Sequence, residues 1–117
     1  MSQDFTNVAP LLSEFANDPD MKELVDLFTA ELPERLGQLT TAWASKDLPT
    51  IKRIAHQLRG SSAGYGFPTL GTTAGNLEDS LRNVNDPAGI PPSAEFGVNQ
   101  LIMMCRRVIA PTMKRAA

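Results

Sequence analysis
The chain of 117 residues has one cysteine, one histidine, one tryptophan and one tyrosine, and a formal net charge of only −2. Each shortage removes a class of answer. A single cysteine, Cys105, closes no internal disulfide, so nothing points to an oxidising compartment. It lies in the apolar run Leu101-Ile102-Met103-Met104-Cys105 and reads as a small core residue. One histidine and one buried thiol make no metal-ligand set, and no nucleophile stands at a strand-end elbow for a hydrolase triad. No glycine-rich loop carries a phosphate-binding lysine, so autonomous use of ATP has no support. The near-zero charge leaves only a local basic cluster, Arg106, Arg107, Lys114 and Arg115, which suits a solvated helix C-terminus. No apolar run approaches a membrane span, and Met1-Ser2-Gln3-Asp4-Phe5 is not the start of a signal peptide. The expectation is one monomeric domain over residues 1–117, cytoplasmic, without metal or cofactor, and with neither nucleic acid nor membrane as partner.

What the chain has in quantity is helical periodicity; alternating strands and hairpin turns are missing. A short helix is expected at about 8–16, with Val8, Leu11, Leu12 and Phe15 on one side. Asp18 and Pro19 then suit the N-cap and first position of a second helix. That helix is expected from Pro19 to Trp43, with Leu24, Leu27, Phe28, Leu32, Leu36, Leu39 and Trp43 inward and a kink at Pro33. Ser45-Lys46-Asp47 turns the chain, and Asp47 caps a third helix over Leu48 to about Tyr65, ended by Gly66-Phe67-Pro68. A fourth spans Pro68 to Asn83, facing inward through Leu70, Thr73, Leu77 and Leu81. After a proline-rich loop, a last helix covers Ser93 to Ala110 with Val98, Leu101, Ile102, Cys105, Val108 and Ile109 inside, and Pro111 stops or bends it. Short connections favour antiparallel neighbours, so the fold class is all-α: an up-and-down four-helix bundle, core about 19–110, plus the short N-terminal helix.

The lone histidine, His56, faces away from that core. At about 100° per residue, Ile51, Ile54, Leu58 and Tyr65 form one stripe, edged by Ala55, Ser61 and Ser62, and His56 points about 160° from its middle. Lys52, Arg53, Arg59, Gly60 and Ala63 share its side. A surface histidine often has no role, so its neighbours decide the reading. Unperturbed imidazole is largely neutral at pH 7 and is a good nucleophile toward phosphorus. Arg59 at i+3 and Lys52 at i−4 offer charge-assisted hydrogen bonds to a phosphoryl group. Gly60 and Gly64 weaken a helix by about 1 kcal/mol each relative to alanine; they serve either close helix packing or the approach of another molecule. Ser61 and Ser62 fall on the buried flank, where hydroxyls bond backbone carbonyls.

The run Ala55-His56-Gln57-Leu58-Arg59-Gly60-Ser61-Ser62-Ala63, followed by Gly66 and by Leu77-Glu78, resembles the signature of histidine-containing phosphotransfer domains. The likeness extends from about Met21 to Val108, including Phe28, Leu32-Pro33 and Leu36. It implies a phosphocarrier rather than an enzyme, with His56 phosphorylated on the nitrogen remote from the backbone. Arg59 stands where the family usually has lysine, keeping the charge and adding a forked donor. Gly60 leaves room for the phosphoryl group, and Glu78 takes the place of the group that hydrogen-bonds the other ring nitrogen. The implied partners are a response-regulator receiver domain, which would hold the magnesium, and a hybrid histidine kinase. Alternatives are a phosphoacceptor for a chemotaxis-type histidine kinase, or a helical docking adaptor without phosphotransfer. The docking strip is expected around His56, with Ala63 and Phe67 contributing contact.

Overall fold
The computed structural model describes residues 9–116, with side chains from 9 to 111. Four α-helices carry it: α1 Lys22–Ser45, α2 Leu48–Ser61, α3 Pro68–Ser80 and α4 Pro92–Ala116, with single 3-10 turns at Ala63–Tyr65 and Pro87–Gly89. Each helix packs on its neighbours in sequence and α4 closes against α1, as in an up-and-down four-helix bundle.

The helices start and stop for local reasons. Asp47 caps α2, its carboxylate accepting from Thr50 N at 3.3 Å and Thr50 Oγ1 at 2.7 Å. Lys46 ends α1 in a left-handed conformation (φ 57°), its N–H returning to Ala42 and Trp43 carbonyls, with its ammonium 3.4 Å from the Trp43 ring centre. Asp18 caps only a turn, through Asp20 N, and α1 starts at Lys22 rather than Pro19. Towards their C-termini, α2 and α3 stop short of the expected ends at Tyr65 and Asn83.

Leu32, Leu39, Ile51, Ile54, Leu58, Leu70, Leu77, Leu81, Val98, Leu101, Cys105 and Ile109 are fully enclosed. Burial pushes the Cys105 thiol up to about 12, which makes it a packing group and not a nucleophile. Of the residues expected on the inward faces of the four bundle helices, Leu24 and Leu27 are exposed, and Trp43, Tyr65, Thr73 and Ile102 are half-buried. On α1 the buried set is Val25, Phe28, Leu32, Leu36, Leu39 and Ala42. At about 100° per residue Leu27 falls some 130° from the centre of that stripe, so its three-residue spacing from Leu24 is not a core signal.

Both interior prolines are tolerated: α1 runs through Pro33 and α4 through Pro111. Proline at 111 leaves the Arg107 carbonyl without its helical donor. The chain before α1 supplies one, Leu11 N donating to Arg107 O at 2.9 Å, while Arg107 Nε donates to Ala9 O at 3.0 Å. Residues 9–16 are therefore not the short helix expected at 8–16. They run without helix to residue 13 and turn over 14–17, as a strap; Val8 lies outside the described residues. The strap crosses the α2–α3 connection, with Ser13 Oγ donating to Tyr65 O at 2.6 Å and Glu14 N to Gly66 O at 2.8 Å. Beside it lies a groove of about 320 Å³ lined by Leu11, Phe15, Val25, Phe67 and Val108 among others.

Candidate functional site: an exposed histidine held by the next helix
The sidedness read from periodicity is the sidedness observed. Ile51, Ile54, Ala55 and Leu58 are buried on α2, whereas Arg53, His56, Arg59, Gly60 and Ala63 are exposed. The His56 side chain is 74% exposed and touches one polar partner, Glu78 Oε2, at 2.7 Å from Nδ1. Glu78 projects from α3, and its second oxygen accepts from Arg59 Nη1 at 3.0 Å. That amino group also donates to Asp79 Oδ1 at 3.0 Å, which Arg82 shares.

Burial works against the Glu78 carboxylate, but hydrogen bonds from Arg59 and His56 outweigh it and hold the carboxyl below its ordinary range. Hydrogen bonds to Glu78, then Asp79, hold the Arg59 guanidinium above its usual value. At neutral pH Glu78 is thus an acceptor only. An acceptor at Nδ1 assigns the proton to that nitrogen and leaves the lone pair on Nε2. Nε2 makes no hydrogen bond among the described residues.

Close approach of α2 and α3 makes the arrangement possible. Gly71 and Gly75 are buried on α3; a Cβ on Gly71 would sit 3.6 Å from Arg59 O and from Ser62 Cβ, and one on Gly75 would sit 3.1 Å from Arg59 Nε. Ser61 Oγ donates to Gln57 O at 2.8 Å as expected. Ser62 is fully buried, and its hydroxyl has no hydrogen-bond partner among the described residues.

Gly60 and Gly64 behave differently: a Cβ on either would meet nothing within 4 Å. The fold therefore gains no contact from their bareness, which removes the packing explanation for both. Lys52 is half-buried and spends its ammonium on Val84 O at 2.6 Å, away from the Glu78 group. Phe67 is not on the exposed strip. It is buried, with its ring 5.7 Å from Phe28, which also stacks on Tyr65 at 4.9 Å. Of the basic cluster, Arg107 ties down the strap, and the Lys114 and Arg115 side chains lie outside the described residues. Periodicity gave no hint of Asp79, Arg82 or Gly75; the adjacent acids Glu78-Asp79 were the only available signal.

Comparison with protein families returns the Hpt domain, matched over residues 23–110. The chain belongs to the Hpt domain family. The match takes in α2, α3 and nearly all of α1, and α4 up to the residue before Pro111. No curated protein and no solved structure matched the chain. As an Hpt domain it has a histidine phosphotransfer role in two-component relays, as a phosphocarrier without kinase activity of its own. Membership implies receiver and kinase domains as the interacting class. No helix among the described residues is long and apolar enough to cross a membrane.

Proposed function
We propose that Nε2 of His56 is the atom that accepts and passes on the phosphoryl group. The observation that carries this reading is the ring's asymmetry: on a side chain 74% exposed, Nδ1 is engaged by Glu78 at 2.7 Å and Nε2 has no hydrogen-bond partner among the described residues. The Nε2 lone pair attacks the phosphorus of a receiver's aspartyl phosphate and forms the N–P bond. The P–O bond breaks, and its electron pair leaves with the receiver's carboxylate. Nδ1 keeps its proton throughout, and Glu78 accepts its hydrogen bond as positive charge develops on the ring. Return of the group reverses each step. Arg59 supplies cationic charge beside the phosphoryl oxygens; Gly60 and Gly64 leave open ground for the docking receiver. The partner is read as a receiver domain that brings its own magnesium, charged by a hybrid or chemotaxis-type kinase, with this chain a cytoplasmic monomer.

The direct test is incubation with a phosphorylated receiver followed by tryptic mapping. Acid-labile label is expected in the peptide Ile54–Arg59. Label absent, or confined to another peptide, would overturn the assignment.

Gly60→Leu tests the open ground. Stability should stay within about 1 kcal/mol of wild type, because leucine favours the helix and displaces nothing. Transfer from a receiver should fall about ten- to a hundredfold, the equivalent of about 1–3 kcal/mol of overpacking in a docked interface. Labelling by phosphoramidate, a small donor, should persist. Unchanged receiver transfer would show that docking avoids this face.

A further inference from the structure
Arg59 does not reach straight into solvent. Its stem lies across α3 at Gly75, where a Cβ would come 3.1 Å from Nε and 3.3 Å from Cδ. Its head continues one turn along α3, where Nη1 donates to Glu78 and Asp79, each at 3.0 Å. A Cβ at 75 would push the stem back from α3 by a few tenths of an ångström. Glu78 then bridges the guanidinium and the imidazole, one oxygen to each. Among the described residues, the Asp79 carboxylate bonds Arg59 and Arg82 and makes no hydrogen bond to His56.

A phosphoryl group on His56 would bring about two negative charges to a guanidinium that two carboxylates already claim. Glu78 has a second duty at Nδ1. Asp79 has no such link to the imidazole, its other partner being Arg82, so each hydrogen bond it draws from Arg59 is withheld from the phosphoryl oxygens. Arg59 is half-exposed, and an exchange among partly solvated anions is worth little more than an ordinary surface ion pair. That is still enough to tune a carrier, whose task is to give up what it accepts.

We propose that Gly75 and Asp79 are positioning residues for Arg59: Gly75 opens the path for its stem, and Asp79 competes with the phosphoryl group for its guanidinium. The pair thereby sets how strongly phospho-His56 is held. This rests on the reading of His56 as the acceptor.

The test uses the full chain and phosphoramidate, at fixed phosphoramidate and ammonia. His56 attacks phosphorus, the donor's P–N bond breaks and ammonia leaves, so the ratio of phosphorylated to free protein reads the equilibrium by intact mass. Asp79→Asn is expected to raise that ratio about two- to fivefold, the range of a partly exposed ion pair. Arg59→Ala and Gly75→Ala are expected to lower it by a similar factor. In the Arg59→Ala background, Asp79→Asn should change nothing, because Asp79 acts through Arg59. The same rise with and without Arg59 would make Asp79 a mere repelling charge and overturn its positioning role. No rise in either background would overturn it too, and a Gly75→Ala ratio equal to wild type would remove Gly75. Absence of label from His56 in the wild-type chain is a separate failure, that of the acceptor assignment itself.

Discussion
His56→Gln should abolish phosphoryl transfer while leaving the helical content and thermal midpoint of the bundle unchanged. The ring is 74% exposed and makes one hydrogen bond to the protein. Its removal falls in the class of surface substitutions that move stability by about 0.5 kcal/mol or less. Glu78 keeps its hydrogen bond from Arg59, so no unpaired charge is left behind. The chemical loss, by contrast, is total. A glutamine amide nitrogen has its lone pair delocalised into the carbonyl and is no nucleophile toward phosphorus, and the chain has no second histidine to take over. The measurement pairs circular dichroism with labelling from a phosphorylated receiver. Label on a well-folded His56→Gln chain would place the acceptor elsewhere.

The largest stability effect is expected from a position that never touches the phosphoryl group. Gly66 holds φ at +89°, and a Cβ there would stand 2.8 Å from the Glu14 amide nitrogen and 3.0 Å from the Phe15 ring. Alanine at 66 therefore incurs the left-handed backbone cost and forces the strap away. Together these amount to about 2–4 kcal/mol, or roughly 10–20 °C in thermal midpoint for a domain of this size. Gly37→Ala is the matched control. It makes the same chemical change in an exposed helical position with nothing within 4 Å, and should instead stabilise by up to about 1 kcal/mol. Denaturant titration of the two variants separates the cases, and a Gly66→Ala loss below that control's gain would contradict the strap's role.

Legibility followed the range of the interactions. The start and sidedness of α2 could be read from sequence because they depend on near neighbours: Asp47 accepts from Thr50 N, and Ile51, Ile54 and Leu58 fix the inward face. Leu24 and Leu27 misled because spacing within one turn does not say where a 24-residue helix places the centre of its stripe. The link between Glu78 and His56 came from family likeness; no periodicity relates residues 22 positions apart on different helices. That α4 does not stop at Pro111 has a tertiary reason. The proline's cost falls on the Arg107 carbonyl, and whether that carbonyl is orphaned depends on Leu11, 96 residues earlier. Asp79 and Gly75 went unread for the same reason, since only the long reach of Arg59 connects them to the site.

The strap also bears on where this protein can be cut. A fragment trimmed to residues 23–110 would retain the whole matched segment. It would discard Ala9, Leu11 and Ser13, which bond Arg107 and Tyr65, and would bare the groove wall formed by Val25, Phe67 and Val108. The recognisable motif and the folding unit are not the same stretch of chain. The difference is a handful of residues ahead of α1 that fasten the far end of α4 to the helix connection just beyond His56.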